Sequence, residues 1–554
     1  MGSSVIDAGD DLPLSVPALL RRQSRLYGDR TLVVCDNERL TYAQADARSR
    51  LIARGMLAAG AGKGSIVALL LPNGADFVVC ALAASRIGAV VAPLSTLSTG
   101  EELRWLLANS DTAFLFAAPG YRSRSYAETV REALPDLDFS RPPPLASAHA
   151  PWLRRVWFTG TAPEGVHPGW SITSLEAMAH AVDDSFLEAI EARVTPADRF
   201  FIIHTSGSTS KPKGVVHSQG AMLRYCDNLN RLRKYGADVV LYSPSPWFWV
   251  AGLGYALFSI IVAGGRLVVS NAAAASDILD LMEREKPDAA NGWPAAAERL
   301  AADPSFAGRD MSFIRRGNLY AIMAPDIKPR DPELRHQVYG MTEAGGTFTH
   351  FLHENDAPEH QRGAFGPLVP GYEGKIVDPE TGATLEPNET GELWVRGTFL
   401  MEGYYGKHRS EVFEPDGWFR TGDLGRFDAD GLFYFKGRRG DMIKTAGANV
   451  APREVEAVMR DLVGPLTPCV VMGVPDRKRG QRVVAVVVAE DGADVDEQSL
   501  KQKLSSKLSS YKVPRHILRI APAELPMLSS GKINMRALVE LVRGRLPESD
   551  AASQ

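Results

Sequence analysis

The sequence has few cysteines, no excess of positive charge and no long uninterrupted hydrophobic run. Its four cysteines, Cys35, Cys80, Cys226 and Cys469, are scattered singly along 554 residues. Isolated cysteines exclude a disulfide framework and a zinc site built on a close cysteine pair, and they indicate a reducing compartment. The formal net charge is −4, without a polybasic segment, which argues against nucleic acid as a partner.

Signals for secretion and membrane anchoring are also missing. Residues 1–13 are acidic and lack a basic start followed by an apolar stretch, and Ile6 breaks the myristoylation pattern that Gly2 would begin. The most apolar stretch, residues 250–262, is short for a spanning helix and contains glycine, which predicts a buried core segment. We therefore expect a cytoplasmic protein without a transmembrane segment. Peripheral membrane contact and a homodimer are left open.

The length and the balance of residue types predict a globular protein of at least two domains. Hydrophobic residues make up 45% of the chain and charged residues 23%, as in ordinary soluble proteins. A chain of 554 residues is also longer than a single hydrophobic core usually organises.

The first part of the chain alternates between helical and extended patterns. Residues 42–59 are amphipathic, residues 66–71 have the pattern of a buried strand, and residues 74–87 are helical again. Residues 89–92 and 112–117 have the composition of further short strands. Because the intervening segments are long enough for parallel crossovers, we predict an α/β fold with helices on both faces of a parallel sheet.

The later parts of the chain have other patterns. Residues 140–169 are rich in proline, alanine and tryptophan without a clear period, which predicts an irregular surface segment. Over residues 363–435, short strands broken by glycine, proline and aspartate predict a β subregion, and a second alternation of helix and strand follows from residue 440 to about 545. We predict a large N-terminal domain over residues 1–436, a hinge over 437–440, and a small C-terminal α+β domain over 441–554.

A hydroxyl-rich loop joins two apolar runs between residues 202 and 216. Its candidate phosphate-binding residues are Thr205, Ser206, Gly207, Ser208, Thr209 and Lys213. Gly207 allows close approach of the backbone, the amides and hydroxyls can donate to phosphate oxygens, and Lys213 adds a positive charge. The spacing is not that of a Walker A motif. A flexible Ser/Thr linker is the alternative, but linkers do not usually connect buried apolar runs.

Four further motifs follow this loop along the chain. They are YGMTEAGG at residues 339–346, TGD at 421–423, the segment 437–456 that begins with Gly437 and Arg438, and LPMLSSGKI at 525–533. With the loop, they resemble the signatures of the adenylate-forming superfamily of acyl-CoA and aryl-CoA synthetases, nonribosomal adenylation domains and firefly-type luciferases. The resemblance extends over about residues 40–542. It is specific because all five motifs occur in the family's order.

This resemblance implies ATP, Mg²⁺ and coenzyme A as cofactor and co-substrates, and it assigns roles to individual residues. Thr342 would contact the α-phosphate, Glu343 would hold Mg²⁺, Lys532 would be the adenylation lysine, Tyr339 would stack on adenine, and Asp423 and Arg438 would hold the ribose hydroxyls. The residue types suit these roles. An aromatic face suits a base, a carboxylate is a hard ligand for Mg²⁺, and a long lysine side chain can neutralise developing phosphate charge.

The resemblance also implies that the small C-terminal domain is mobile. It would first present Lys532 to ATP and then turn about Gly440, so that the loop containing Gly447 borders the coenzyme A channel. Glycine absorbs a large backbone change at little steric cost, which suits a hinge. A plain tight turn is the alternative interpretation of Gly440.

Three positions bear on the acid substrate: Trp249, Gly252 and Gly340. Trp249 stands where relatives commonly have a histidine that gates the acyl tunnel, although core packing explains an aromatic residue there equally well. Residues 251–261 contain no aspartate to bind an amino group, which argues against an amino-acid activation domain. We therefore expect an acyl-CoA ligase for an apolar acid (fatty, aryl or alicyclic). An acyl-AMP ligase that loads a carrier protein and a non-catalytic nucleotide sensor are the alternatives.

Overall fold

The structure is a computed structural model and forms two compact units. It describes residues 12–144, 146–205, 212–335, 338–351, 356–445, 448–464, 467–476, 480–490, 496–508, 510–529 and 531–546. The first unit comprises residues 1–362, 366–373 and 396–417, and the second comprises 363–365, 374–395 and 418–554. The predicted hinge over residues 437–440 falls inside the second unit and remains a prediction.

The helices and strands alternate along most of the chain. The helices are α1 (Val16–Tyr27), α2 (Tyr42–Ala58), α3 (Ala75–Arg86), α4 (Gly100–Asn109), α5 (Tyr126–Ala133), α6 (Ile172–Met178), α7 (Asp184–Glu191), α8 (Gln219–Arg233), α9 (Val250–Gly252), α10 (Ser259–Ala263), α11 (Ala275–Glu285), α12 (Pro294–Ala301), α13 (Pro452–Val463), α14 (Glu497–Ser505) and α15 (Met535–Arg545). The strands are β1 (Thr31–Cys35), β2 (Glu38–Thr41), β3 (Ile66–Leu70), β4 (Val90–Pro93), β5 (Thr112–Ala117), β6 (Gly120–Tyr121), β7 (Arg124–Ser125), β8 (Arg155–Phe158), β9 (Arg199–Thr205), β10 (Lys213–Ser218), β11 (Val240–Tyr242), β12 (Arg266–Val269), β13 (Ala289–Ala290), β14 (Arg316–Gly317), β15 (Val338–Met341), β16 (Gly346–His350), β17 (Tyr372–Val377), β18 (Gly391–Gly397), β19 (Gly403–Tyr404), β20 (Phe419–Phe427), β21 (Phe433–Arg438), β22 (Ile443–Thr445), β23 (Ala448–Val450), β24 (Cys469–Asp476), β25 (Gly480–Val488) and β26 (His516–Ile520).

Two parallel-rich sheets organise the first unit. One has the order β19-β10-β9-β4-β3-β5-β8 and is parallel from β9 to β8. The other has the order β14-β13-β11-β12-β1-β2 and is parallel except at β2. Strand β3 is buried along its whole length, as expected for a parallel strand with both faces covered. The predicted α/β class is confirmed, and so are the helix at α2 and the strands at β3 and β5.

The stretch predicted as an irregular surface segment contains a buried strand, so that prediction was wrong in part. Strand β8 lies within residues 140–169 and pairs in parallel with β5. Val156, Trp157 and Phe158 in it are each 1% exposed, and Trp157 stacks on Phe114 with ring centroids 5.6 Å apart. A strand of four residues is too short to give a visible period, which is why the pattern did not reveal it.

The second unit combines an antiparallel sheet with an α+β layer structure. The first sheet has the order β17-β18-β20-β21, and the other has β23-β22-β25-β24 with β26 parallel to β25. Along β25, Val483, Ala485 and Val487 contribute to one hydrophobic cluster, which includes residues of α13 and α14. The alternate positions of β25 contribute to a second cluster, which includes residues of α15. This period of two, with helices on both faces, agrees with the predicted α+β character.

The most apolar stretch of the sequence is helical and buried. It comprises α9, a π-helical segment at Leu253–Phe258, and α10. Its predicted place in the core is confirmed by the burial of Leu253, Leu257 and Ile260. Across the part of the chain that the structure describes, no helix is long and apolar enough to cross a membrane.

Candidate active site

Two antiparallel strands flank the predicted phosphate loop near one edge of the seven-stranded sheet. Strand β9 ends at Thr205 and β10 begins at Lys213, and these two residues face each other in the ladder. The apolar runs before and after the hydroxyl-rich segment are therefore strands. Residues 206–211 lie outside the described residues, and they include the predicted phosphate-binding residues Ser206, Gly207, Ser208 and Thr209.

The YGMTEAGG motif forms a hairpin whose turn carries Thr342 and Glu343. Strands β15 and β16 are antiparallel, and a short 3-10 turn at Thr342–Ala344 connects them. The side chains of Thr342 and Glu343 are half-buried. The backbone N–H of Met401 donates to the carbonyl of Glu343 at 2.9 Å, which ties the turn to the segment before β19.

Tyr404 brings the loop lysine and the turn carboxylate together. It lies on β19, opposite Val215 of β10. Its hydroxyl donates to Oε1 of Glu343 at 2.9 Å, and the Nζ atom of Lys213 lies 5.0 Å from the centre of its ring. Sequence reasoning missed Tyr404, because a single tyrosine carries no signal until its partners are known. The arrangement places a cation and a carboxylate around one phenol.

A buried histidine is hydrogen-bonded to the main chain of this turn. His217 on β10 is 0% exposed, and burial lowers its pKa to about 4. The imidazole is therefore neutral near pH 7, and its Nε2–H donates to the carbonyl of Thr342 across 2.7 Å. Among the described residues, Nδ1 of His217 has no hydrogen-bond partner. The sequence analysis did not single out this residue either.

Tyr339 and Gly340 occupy strand β15 of the same hairpin. The Tyr339 ring is half-buried and meets Phe348 edge to face, with ring centroids 5.3 Å apart. A Cβ atom on Gly340 would lie 2.5 Å from the carbonyl oxygen of Gly346, so the close pairing of the two strands requires glycine there. Contact of Tyr339 with adenine and of Gly340 with the acid stays a prediction.

The three consecutive aromatic residues before α9 have different surroundings. Trp247 is fully buried and Phe248 nearly so, whereas Trp249 is half-buried. The ring of Trp249 lies edge-on to Trp293, with centroids 6.4 Å apart, and Trp293 is 60% exposed. Core packing therefore accounts for the first two aromatic residues. The predicted substrate role of Trp249 remains a prediction.

Gly252 is required by the close approach of the preceding loop. A Cβ atom there would lie 2.1 Å from the carbonyl oxygen of Pro246 and 2.9 Å from that of Ser245. Main-chain atoms cannot move aside as a flexible side chain can. We expect Gly252→Ala to lower the free energy of unfolding by about 1–3 kcal/mol, the usual range for overpacking.

Thermal unfolding of purified Gly252→Ala checks this expectation. The matched control is Gly62→Ala, because a Cβ atom on Gly62 meets nothing within 4 Å. The free energy of unfolding of the control should stay within about 0.5 kcal/mol of the wild-type value, as is usual for surface substitutions. Equal free energies of unfolding of Gly252→Ala and the wild type would contradict the packing argument.

The second unit contains the predicted ribose-binding pair. Asp423 and Arg438 face each other on β20 and β21, and Nε of Arg438 lies 2.9 Å from Oδ1 of Asp423. The Asp423 side chain is 1% exposed, whereas that of Arg438 is 51% exposed. The backbone N–H of Asp423 donates to Oγ1 of Thr421 at 3.0 Å, which fixes the TGD turn. A carboxylate held in one orientation suits recognition of a pair of hydroxyls.

Lys532 lies at the tip of a small hairpin in the second unit. Met527 and Ile533 pair across this hairpin, and the N–H of Leu528 donates to the carbonyl of Lys532 at 2.7 Å. The Lys532 side chain is exposed. Gly447, the predicted residue of the coenzyme A channel, lies outside the described residues. The role of Lys532 stays a prediction.

The carboxylate on the turn suits a magnesium ion that is shared with phosphates. Within the described ranges, no group of three or more His, Cys, Asp or Glu side chains could hold a metal ion. Mg²⁺ usually binds through one or two carboxylates together with substrate phosphates, and does not need a protein-only cage. Glu343, whose Oε1 is already oriented by Tyr404, fits that mode.

Comparison with known proteins gives matches along most of the chain. The family model described as AMP-binding enzyme matches residues 20–405, and that of the AMP-binding enzyme C-terminal domain matches residues 454–532. The chain is 31% identical to a feruloyl-CoA synthase of Amycolatopsis sp, over 92% of this chain and 96% of that protein. It is 30% identical to an oxalate–CoA ligase of Arabidopsis thaliana, over 95% of this chain and 98% of that protein.

The fold also matches solved structures. The crystal structure of the anthranilate CoA ligase AuaEII in complex with anthranoyl-AMP is similar, with a TM-score of 0.78 at 21% identity. The match covers 97% of this chain and 100% of that chain. Since one family model covers more than half of the sequence and a second covers the C-terminal part, the chain belongs to the AMP-binding enzyme family, the adenylate-forming enzymes.

Proposed function

We propose that this acid–thiol ligase activates an apolar carboxylic acid as its adenylate and transfers the acyl group to coenzyme A. The observation that carries the proposal is the arrangement of Lys213, Tyr404 and Glu343 beside Thr342 in the first unit. A cation, an oriented carboxylate and a hydroxyl are the groups that ATP with Mg²⁺ requires.

In the first step, a carboxylate oxygen of the acid attacks the α-phosphorus of ATP. The bond from that phosphorus to the bridging oxygen breaks, and pyrophosphate leaves with the electron pair. Lys532 neutralises charge that develops on the α-phosphate, and the Thr342 hydroxyl donates to it. Glu343 would hold Mg²⁺, which when bound neutralises phosphate charge. Asp423 and Arg438 would orient the ribose.

In the second step, the thiol of coenzyme A attacks the carbonyl carbon of the acyl-adenylate. The bond from that carbon to the phosphate oxygen breaks, AMP leaves, and the thiol proton passes to solvent. Here the protein mainly positions the reactants, because AMP is a good leaving group. We propose that Gly440 is the hinge of this step, and that the loop with Gly447 borders the coenzyme A channel. A Cβ atom on Gly440 would meet nothing within 4 Å, which is compatible with a hinge.

The apolar character of the acid is supported by the segment after Trp249. Leu253, Leu257 and Ile260 are buried there, and no aspartate occurs in residues 251–261. Relatives named for ferulate and for oxalate have almost the same identity to this chain, so identity alone does not select an acid. We therefore base the substrate class on the residues near Trp249 and Gly252.

The test is carboxylate-dependent release of AMP and pyrophosphate from ATP with Mg²⁺. Fatty, aryl and alicyclic acids are compared, with oxalate and an amino acid as polar references, each with and without coenzyme A. We expect acyl-CoA only when coenzyme A is present, and turnover with apolar acids. Adenylate without thioester would favour a carrier-loading ligase. ATP binding without turnover on any acid would favour a nucleotide sensor.

Trp249 should influence which acid is accepted without affecting nucleotide binding. We expect Trp249→Ala to change the ratio of kcat/KM between a bulky aryl acid and a short fatty acid by about 10-fold, because a change in an apolar pocket is worth about 1–3 kcal/mol. The KM for ATP should stay unchanged. Trp152→Ala is the matched control, since Trp152 is an exposed tryptophan (61%) of another segment. An unchanged ratio in Trp249→Ala would contradict a substrate role.

A further inference from the structure

Tyr404 contacts both groups that the proposed function assigns to phosphate and magnesium. Its hydroxyl donates to Oε1 of Glu343 at 2.9 Å, and its ring lies 5.0 Å from Nζ of Lys213. These contacts use different parts of one side chain. The hydroxyl acts on the carboxylate, and the aromatic face acts on the ammonium group through a cation–π interaction.

The backbone that carries Tyr404 is held on both sides. Tyr404 pairs with Val215 of β10. The N–H of Glu402 donates to the carbonyl of Val216 at 2.8 Å, and the N–H of Tyr405 donates to that of Gly214 at 2.7 Å. Ladder bonds on either side of Tyr404 fix where its phenol can reach. The side chain is thus presented from a sheet strand and does not depend on a loop conformation.

The same short segment holds Glu343 by its main chain and by its side chain. Met401 donates to the Glu343 carbonyl at 2.9 Å, and Tyr404 donates to Oε1. Among the residues that the structure describes, Oε2 of Glu343 has no hydrogen-bond or ion-pair partner. A carboxylate with one oxygen bound by a neutral donor is oriented while it keeps its negative charge for a cation.

Lys213 and Glu343 carry opposite charges and contact different parts of the Tyr404 side chain. In the described part of the chain, Lys213 makes no salt bridge, although Lys213 and Glu343 contact the same side chain. A direct ion pair between them would occupy the cation needed for phosphate and the carboxylate needed for the metal. With Tyr404 in place, each group is held and remains available for its own ligand.

We propose that Tyr404 is a positioning residue that orients Glu343 for Mg²⁺ through its hydroxyl and Lys213 for the ATP phosphates through its ring. This inference rests on the proposed function, because it takes Glu343 as the magnesium ligand and Lys213 as a phosphate contact. Removal of the hydroxyl should therefore affect the Mg²⁺ requirement, and removal of the ring should affect the affinity for ATP.

The test is ATP binding measured by titration calorimetry over a range of Mg²⁺ concentrations, without any acid. In Tyr404→Phe, which keeps the ring, the Mg²⁺ concentration for half-maximal ATP binding should rise about 10-fold, as loss of a partner behind a metal ligand typically does. ATP affinity at saturating Mg²⁺ should stay near that of the wild type. Tyr404→Leu, which also removes the ring, should lose a further factor of about 3 in ATP affinity at saturating Mg²⁺.

The neighbouring tyrosine supplies a matched control. Tyr405→Phe removes the same hydroxyl, but that hydroxyl donates to Asp111 at 2.8 Å and does not contact Glu343. Its Mg²⁺ requirement should equal that of the wild type. In a Glu343→Gln background, Tyr404→Phe should have no additional effect on the Mg²⁺ requirement, because the residues act as a pair.

An unchanged Mg²⁺ requirement in Tyr404→Phe would overturn the inference, and so would an equal increase in Tyr405→Phe. An additional increase in the Glu343→Gln background would overturn it as well. A wild type that binds no ATP would overturn both this inference and the proposed function. Mg²⁺-dependent ATP binding without acid-dependent AMP release would overturn only the proposed function, since calorimetry needs no turnover.

Discussion

Replacing Lys532 by alanine is expected to reduce adenylate formation by about 10²–10³-fold, the loss typical for one group that stabilises transition-state charge. Lys532 is exposed at the tip of the hairpin paired through Met527 and Ile533. If Lys532 interacted only with solvent, its removal would leave the rate of adenylate formation unchanged. The measurement is acid-dependent pyrophosphate release from ATP with Mg²⁺ by the wild type and by Lys532→Ala.

The second half-reaction separates loss of chemistry from loss of folding. Synthetic acyl-AMP with coenzyme A should give acyl-CoA at a rate close to that of the wild type in Lys532→Ala, because the attack on phosphorus has then been bypassed. Lys532→Arg should not restore adenylation, since the planar guanidinium has a different reach and geometry. Lys503→Ala, which removes an exposed lysine on α14, is the control. Undiminished pyrophosphate release by Lys532→Ala would contradict the assignment.

The largest expected loss of stability comes from Arg86. Its side chain is 0% exposed and so is that of Glu191, whose Oε1 lies 2.6 Å from Nε of Arg86. Arg86 also donates to Ser49 Oγ at 2.7 Å and to Asp46 Oδ1 at 2.7 Å. Glu191 has a second partner, Arg21, at 2.6 Å. This network joins α1, α2, α3 and α7 in the first unit.

Arg86→Leu should lower the free energy of unfolding by about 3–5 kcal/mol, because it leaves a buried carboxylate without its buried partner. Urea or thermal unfolding of the purified variant measures this. The control is Arg48→Leu, which breaks an exposed pair with Asp76, with both side chains more than 40% exposed. That change should cost at most about 1 kcal/mol. Equal losses in the two variants would contradict the burial argument.

Much of the fold was accessible from local patterns. The helix at α2 was predicted because its apolar positions recur with helical spacing, and the structure adds a capping box of Thr41 and Gln44 at its start. The strand β5 was predicted with its observed bounds, because a short apolar run between turns is typical of a buried strand. Strand β8 was missed because four residues are too few to show a period.

In the candidate site, too, some residues were predicted from the sequence and others were missed. The order of the five motifs predicted roles for Thr342, Glu343, Asp423, Arg438 and Lys532, because each motif is a short segment whose residues are close in sequence. Tyr404 and His217 were missed. Their partners are distant in sequence: Tyr404 lies 61 residues from Glu343, and His217 lies 125 residues from Thr342.

The sequence by itself determined the class of fold, the helices α2 and α3, the strands β3, β4 and β5, the family and the residues of its motifs. The fold class, helices and strands depend on periodicity and turn chemistry, which act between residues that are neighbours along the chain. The family follows from the resemblance of five short motifs in their order. Only the tertiary structure decided which phenol orients Glu343, which imidazole holds Thr342, and which buried carboxylate pairs with Arg86. The reason is physical: these contacts depend on which strands become neighbours in a sheet and which helices pack together, and no local pattern contains that choice.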